Sequence, residues 1–131
     1  MRKESSIKKA PTISQLIKKA DALHSTKVRT QGSKDGSNQC YTCKKWFPIK
    51  KLQCGHYLSR YYKAARWDDD NTRPQCMMCN MWKKGDLVVY RQNLIEEIGE
   101  ARVLAVEAKR NDTLKLSRQF LEEKIQTLSN D

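Results

Sequence analysis

Two Cys-x-x-Cys pairs constrain the fold of this chain more than any other feature. The first pair is Cys40 and Cys43, the second is Cys76 and Cys79, and a fifth cysteine, Cys54, lies between them. The lysine-rich N-terminus has no secretory segment, so we expect a compartment in which thiols stay reduced. Two such pairs match the four thiolates of a tetrahedral zinc site better than a disulfide or a redox pair. The sequence therefore predicts a structural Zn²⁺ ion bound by Cys40, Cys43, Cys76 and Cys79.

The composition explains why such a chain would need a metal. Of its 131 residues 38% are hydrophobic, and the mean hydropathy is −0.83. A core this small commonly needs a metal or a disulfide, and we expect Trp46 and Trp82, each near a cysteine pair, to be part of it. The longest run of Leu, Ile and Val residues, 87–89, has three residues, far below the roughly 20 needed to span a bilayer. We therefore expect a cytoplasmic protein without a membrane partner.

Positive charge is concentrated in the first two thirds of the chain. The formal net charge is +11, of which residues 1–38 carry +6, residues 39–85 carry +7 and residues 86–131 carry −2. A basic field of this strength is typical of proteins that bind nucleic-acid phosphates, so DNA is the predicted partner. The basic residues around the cysteine region would contact the DNA backbone without reading bases. These candidates are Arg60, Lys63, Arg66, Arg73, Lys83 and Lys84.

Hydrophobic spacing predicts helices on both sides of the cysteine region. Thr12 and Gln15 have the spacing of a capping box, and the apolar residues after them predict a helix over about 13–28. We expect His24 on the surface of this helix, because no potential metal ligand is near it in the sequence. The other predicted helices cover 76–85, 87–98, 101–109 and a C-terminal segment capped by Thr113.

These elements predict an α+β fold that is mostly helical overall. Residues 1–38 would form a basic arm, a helix and a loop, residues 39–99 a zinc-bound core, and residues 100–131 a helical extension. Within the core we expect a short hairpin after the first cysteine pair. Residues 71–75 are interpreted as a loop, because Pro74 disfavours a helix before it.

The segment between the two cysteine pairs is longer than a zinc site requires. Cys43 and Cys76 are separated by 32 residues, whereas simple zinc modules have about 15–20. A hairpin carrying His56, a loop carrying Asn71 and a helix carrying Asn80 would converge there, which is the ββα-metal arrangement of HNH nucleases. The pKa of a free histidine is about 6.5, so His56 would be mostly neutral at physiological pH. It is the predicted general base that activates water for phosphodiester hydrolysis.

The order and spacing of four stretches resemble the phage NinG/Rap recombination proteins. The stretches are CYTCKKWF, LQCGHYLSR, ARWDDDNTRPQCMMCN and KKGDLVVYRQNLIEEIG, and the resemblance covers about residues 12–110. It implies a metal-dependent, structure-selective endonuclease that cuts branched DNA, such as D-loops and Holliday junctions, during phage recombination in the cytoplasm of a bacterial host. The asparagine directly after the second cysteine pair also resembles recombination endonuclease VII, in this local motif only.

The resemblance also implies roles for individual residues. Asn71 is at the middle position of the HNH triplet, which orients the base, and Asn80 is at the last position, where a ligand for Mg²⁺ or Mn²⁺ is expected. Many HNH sites have a metal-binding Asp or His directly before the base, whereas this chain has Gly55. Asp68 is the preferred substitute, because RWD-x-x-N resembles the family pattern. The alternatives are Asp69, Asp70 and His56 itself.

Two other functions are compatible with the same sequence. A non-catalytic, zinc-stabilised DNA-binding module would account for the cysteines and the basic charge. A sequence-specific HNH nuclease of the restriction or homing type would account for the insert, although no obvious specificity module accompanies it. The insert with His56, Asn71 and Asn80 favours the structure-selective enzyme. The C-terminal helices are candidates for a homodimer interface.

Overall fold

The first helix begins at the capping box that the sequence predicts. In the computed structural model, which describes residues 9–130, α1 covers Ile13–Thr30. The Thr12 hydroxyl accepts the N–H of Gln15 at 3.1 Å, and the Gln15 side chain accepts the N–H of Thr12 at 2.8 Å. These reciprocal bonds satisfy two of the helix's free donors. The helix extends two residues beyond its predicted end, and most of the predicted basic arm lies outside the described residues.

Four short strands form two antiparallel sheets around the cysteine region. Strand β1 (Ser37–Gln39) pairs with β2 (Trp46–Pro48), and this hairpin encloses the first cysteine pair. Strand β3 (Leu52–His56) pairs with β4 (Thr72–Cys76), which leads into the second pair. The two sheets therefore bring both cysteine pairs to the same region of the molecule.

The interpretation of residues 71–75 as a loop is wrong. Strand β4 begins at Thr72, and Pro74 lies opposite Cys54 in the pairing with β3. A proline keeps the preceding residue extended, and that conformation suits a strand as well as a loop. The partner strand decides between the two, and it lies about 20 residues earlier in the chain.

Helices make up most of the rest of the described chain. A five-residue π-helical turn, Met78–Trp82, follows β4 and is shorter than the helix predicted over 76–85. The next helices are α2 (Leu87–Ile98), α3 (Glu100–Ala108) and α4 (Arg118–Ser129). Helix α2 matches its prediction, and α3 begins and ends one residue early. Among the described residues, no helix is long and apolar enough to cross a membrane.

The cap of the last helix differs from the prediction. Ser117, not Thr113, caps α4, and its hydroxyl accepts the N–H of Phe120 at 3.1 Å. Both residue types are good N-caps, so the local sequence does not choose between them. Leu114, predicted to be part of the helix, lies before it.

Three groups of buried side chains join these elements. Tyr90 of α2 and Val103 of α3 pack with the 57–71 loop, which connects β3 to β4. Leu16 of α1 packs with Leu121 of α4, and the third group surrounds the cysteines. Helix α1 therefore contacts both α4 and the β3–β4 hairpin, so the N-terminal helix joins the C-terminal helix to the hairpin.

Three predicted environments are wrong. His24 is 1% exposed rather than on the surface, because α1 turns that side towards the β3–β4 hairpin. Trp46 is 49% exposed and Trp82 is 75% exposed rather than in the core. Cys40, Cys76, Cys79 and Leu52 make up the buried cluster at the cysteine pairs, with Cys43 and Phe47 packed against it, and neither tryptophan belongs to it.

Candidate metal centre and cavity

The four paired cysteines meet at one point. Their Sγ atoms all lie within 4.8 Å of one another, and the Sγ atoms of Cys43 and Cys76 are 3.9 Å apart. A zinc ion bound at about 2.3 Å by four tetrahedral thiolates would place their sulfurs about 3.8 Å apart. Cys40, Cys76 and Cys79 are buried, and Cys54 lies outside the cluster. The cluster therefore has the composition and dimensions to hold one zinc ion.

The electrostatics of these thiols also favour a bound cation. Burial raises the pKa of Cys40, but hydrogen bonds from the N–H groups of Cys43 and Cys76 and from Thr42 outweigh it and lower this pKa to about 6. Burial raises the pKa of Cys79 to about 12. The Cys79 thiol therefore ionises at neutral pH only if a cation compensates its charge.

An open cavity of about 460 Å³ lies between α1, the end of β3 and the π-helical turn. His56 and Asn80 line it, so the structure brings together two residues that the sequence analysis assigned to one site. Ser25 and Cys54 also contribute, and burial raises the pKa of the Cys54 thiol to about 12. The remaining lining residues are Asp21, His24, Ser59, Arg60, Lys84 and Gly85.

Hydrogen bonding fixes the tautomer of His56. Its Nε2 lies 2.9 Å from the carbonyl oxygen of Arg66. A carbonyl only accepts, so Nε2 carries the proton in the neutral ring and Nδ1 carries the free lone pair. No described residue is hydrogen-bonded to Nδ1. Burial lowers the pKa of His56 below its usual value, so the ring is neutral at physiological pH and can accept a proton.

Asn71 positions the loop behind the site. Its side chain is fully buried, its Oδ1 accepts the N–H of Leu58 at 2.7 Å, and its Nδ2 donates to the carbonyl oxygens of Leu58 and Ala65 at 2.9 and 3.0 Å. These bonds tie together the two ends of the loop that presents the Arg66 carbonyl to His56. Asn71 is thus placed to orient the histidine from behind rather than to contact a substrate.

Asn80 presents its amide oxygen as a free acceptor. Its Nδ2 donates to Oε1 of Gln53 at 2.7 Å, and no described residue binds its Oδ1. Amide oxygens are ligands for hard cations such as Mg²⁺ and Mn²⁺. The π-helical turn therefore places one suitable metal ligand at the cavity that also contains His56.

The three consecutive acidic residues lie away from this cavity. Asp68 accepts a hydrogen bond from Nζ of Lys109 at 2.5 Å and another from the N–H of Asp70 at 2.9 Å. Asp69 and Asp70 are also in ion pairs. Since none of the three lines the cavity around His56, this placement does not support Asp68 as the ligand that replaces a side chain at Gly55.

Helix α1 contributes three cavity residues that the sequence analysis did not assign to the site, Asp21, His24 and Ser25. Asp21 accepts bonds from Arg66 and from the indole of Trp67 at 2.9 Å. Burial alone would raise the pKa of Asp21, but these partners lower it. Asp21 is therefore an ionised carboxylate at the cavity wall, already bound to an arginine.

His24 is the second residue from α1. Its Nε2 lies 3.0 Å from the hydroxyl of Thr72, which donates to the carbonyl of Asp68, and its Nδ1 is buried without a partner. Burial lowers the pKa of His24 to about 4, so the ring is neutral. The sequence does contain a signal for this burial, because His24 is in register with the buried positions 16, 20 and 28, the spacing of one helix face.

The predicted DNA ligands divide into two groups. Arg66 is in an ion pair with Asp21, and Arg73 is in an ion pair with Glu97 at 3.1 Å. Both arginine side chains are mostly buried, and their bonds join separate elements of the fold. The exposed members of the set are Arg60, Lys63, Lys83 and Lys84.

Comparison with known proteins decides the family. The model of the family described as Bacteriophage Lambda NinG protein matches residues 1–131. The chain belongs to the NinG family.

Curated relatives match part of the chain. The NinG protein of Enterobacteria phage H19B is 43% identical over 60 residues, which cover 44% of this chain and 29% of that protein. The relative from Salmonella phage P22 is 47% identical over 57 residues (41% and 27%), and that from Escherichia phage lambda is 42% identical over 60 residues (44% and 28%). The matched segments thus span less than a third of each NinG relative. No solved structure matches the chain.

A steric contact explains why this NinG-family protein has glycine before His56. A Cβ atom at Gly55 would lie 2.1 Å from Oε1 of Gln75. Gln75 is fully buried, and its Nε2 donates to the Thr42 hydroxyl at 3.1 Å and to the Gly85 carbonyl at 2.9 Å. The space next to His56 that a side chain at position 55 would need is therefore occupied by a glutamine tied to the cysteine region.

We expect Gly55→Ala to lower the free energy of unfolding by about 1–3 kcal/mol, because the added methyl group displaces a packed side chain. Urea denaturation followed by circular dichroism measures this loss. Gln75→Ala provides the control, since the truncated side chain leaves room, and Gly55→Ala should cost much less in that background. Equal urea midpoints for Gly55→Ala and the unchanged protein would contradict the steric explanation.

Proposed function

We propose that this protein is a metal-dependent HNH-type endonuclease that hydrolyses phosphodiester bonds in branched DNA during phage recombination. The observation that carries the proposal is the state of His56. Its Nε2 is bound to a backbone carbonyl, its Nδ1 has no partner among the described residues, and it lines an open cavity with Asn80. A neutral imidazole held in this way is suited to take a proton from water.

The order of the elements supports the comparison with HNH sites. Strand β3 ends at His56, β4 returns antiparallel to it, and the π-helical turn carries Asn80. The cysteine cluster ties the end of this hairpin to the turn, because Cys76 ends β4 and Cys79 lies within the turn. A zinc ion there would hold the strand and the turn at a fixed distance, so its role is structural and its four ligand positions are filled.

The chemistry assigned to the protein is hydrolysis by an activated water. The water oxygen attacks phosphorus and its proton passes to Nδ1 of His56. The bond between phosphorus and the 3′ oxygen breaks, and the leaving oxygen takes a proton from a solvent water molecule. Asn71 keeps the loop in place, so that the Arg66 carbonyl holds His56 in the required tautomer. Asn80 would contribute its amide oxygen as a ligand for Mg²⁺ or Mn²⁺, and such an ion would supply positive charge to offset the negative charge that develops during phosphodiester hydrolysis.

DNA is the proposed partner because the protein is strongly basic and several of its exposed basic side chains lie at or near the cavity. Arg60 and Lys84 line the cavity, and Lys63 and Lys83 are exposed. Phosphate contacts of this kind give binding that weakens steeply with salt and depends little on base sequence. The formal charge of +11 provides the long-range attraction.

The test uses zinc-loaded protein and four DNA substrates: linear duplex, flap, D-loop and four-way junction. Each is incubated with Mg²⁺, with Mn²⁺ or without added divalent ion. We expect nicks near the branch point only when Mg²⁺ or Mn²⁺ is added, and little cutting of linear duplex. Binding to every substrate without metal-dependent nicking would instead favour the non-catalytic DNA-binding module.

We also propose that two copies act together, because symmetric incision of a four-way junction needs two active sites. The interior faces of the C-terminal helices are already used within the chain, since Val103 and Leu121 are fully buried. Any dimer contact there would have to use their outer faces. A chain that sediments as a monomer both alone and with junction DNA would refute the dimer.

A further inference from the structure

The turn that carries Asn80 also presents a group of exposed apolar side chains. Met77, Met78 and Met81 are each more than half exposed, and Trp82 is 75% exposed. Residues four and five apart are neighbours on a π-helical turn, so these four side chains share one side of it. Single exposed hydrophobic residues are ordinary, whereas a contiguous group marks an interaction surface. We refer to these four residues as the apolar edge.

Packing within the described chain does not account for the apolar edge. The other residues of the turn serve the fold and the site, because Cys79 is buried in the cysteine cluster and Asn80 lines the cavity. Among the edge residues, Met81 has one polar contact, from Nε2 of Gln53 at 3.6 Å. The edge therefore remains available for a partner, and its backbone is held by a potential zinc centre.

The surroundings of the apolar edge indicate a polyanionic partner. Lys83 and Lys84 follow Trp82 directly, both are exposed, and Lys84 also lines the cavity with His56. A second copy of this chain would bring another strongly basic surface to these lysines. DNA has the complementary charge, and its bases are the apolar groups that the edge could contact.

We propose that the apolar edge packs against bases exposed at a DNA branch point and thereby selects branched over linear DNA. Proteins that insert methionine or similar wedges between base steps must first unstack them, which costs a few kcal/mol per step. At a branch point the stack is already interrupted, so less of that cost remains. Trp82 would stack on one base, and the methionines would cover its neighbour. This inference rests on the proposed function and names the basis of its substrate preference.

The test compares Trp82→Ala with Leu104→Ala, which removes another exposed apolar side chain, from α3 and away from the cavity. Both are made in a His56→Ala background with Mg²⁺ present, so that binding is measured without cleavage. One probe is a four-way junction with 2-aminopurine at the branch position. The other is a linear duplex of matching sequence with 2-aminopurine at the equivalent position. Stacking of a base on an aromatic side chain is worth about 1–3 kcal/mol, which corresponds to roughly 5- to 150-fold in affinity.

We expect Trp82→Ala to weaken junction binding by that factor, to leave duplex binding within about twofold and to abolish the 2-aminopurine change at the branch. Leu104→Ala should change neither value. Full junction preference in Trp82→Ala, an equal loss in Leu104→Ala, or a wild-type protein without junction preference would overturn the inference. A change from dimer to monomer in Trp82→Ala would also overturn it, in favour of an interface between copies. The nicking assay reports separately on the proposed function.

Discussion

Replacement of His56 by alanine should slow the cleavage of branched DNA by about 10²–10⁴-fold, the usual contribution of a general base. In His56 the Nε2 atom is held by a backbone carbonyl, and the Nδ1 atom is free to accept a proton. The other imidazole in the cavity, His24, has a buried Nδ1 atom, so the variant loses the one suited to act as the base. Single-turnover cleavage of a junction substrate with Mg²⁺ measures the rate. Circular dichroism and zinc content should be unchanged, because His56 is outside the cysteine cluster.

The other cavity histidine is the matched control for this experiment. His24 is buried and bonded through Nε2 to Thr72, so His24→Gln should lower the unfolding midpoint more than His56→Ala does and the cleavage rate less. Two results would contradict the role of His56 as the base. One is a His56→Ala protein that cuts at the wild-type rate. The other is a folded His24→Gln protein that loses as much activity as we expect for His56→Ala.

Loss of zinc should unfold the β3–β4 region. Structural zinc sites contribute on the order of 10–16 kcal/mol in small peptides, which is as large as the whole stability of a typical domain, about 5–15 kcal/mol. Cys76→Ser removes a ligand that also ends β4, so we expect loss of the bound zinc and of the cooperative unfolding transition. Elemental analysis and thermal denaturation followed by circular dichroism measure the two effects.

Cys54→Ser is the matched control for zinc loss. Cys54 lies between the two pairs in the sequence but outside the cluster, so the variant should keep one zinc per chain. A Cys76→Ser protein that keeps its zinc and its sharp transition would contradict a four-thiolate site. Loss of zinc from Cys54→Ser would show that the ligand set is wrong.

Features that depend on neighbouring residues were predicted well. The capping box at Thr12 and Gln15 is present as expected, and α2 begins and ends at the predicted residues. The cysteine cluster also forms. The Cys-x-x-Cys spacing already brings the two thiols of each pair together, so the cluster requires only that the two pairs come close to each other. Short-range geometry determines these features, so the local sequence contains the required information.

The walls of the cavity could not be predicted in the same way. Asp21 and His24 reach it because α1 packs across the β3–β4 hairpin, a contact between segments about 30 residues apart. Asp68 is turned away because Lys109 of a later segment binds its carboxylate. The same dependence on distant partners made Thr72–Cys76 a strand, since a proline-containing extended segment pairs only if another strand is available.

The sequence by itself thus determined helices α1, α2 and α3 to within two residues, the four cysteines of the cluster and the basic charge. The roles predicted for His56 and Asn80 stay predictions, although both side chains line the same cavity. Only the tertiary structure decided which side chains surround His56 and Asn80 and which acidic residues and arginines form ion pairs with each other. It also decided that Trp82 stays exposed next to the site. The physical reason is that burial and pairing depend on which distant segments pack together. Residue identity and spacing report chemistry and local conformation, but they do not specify that packing.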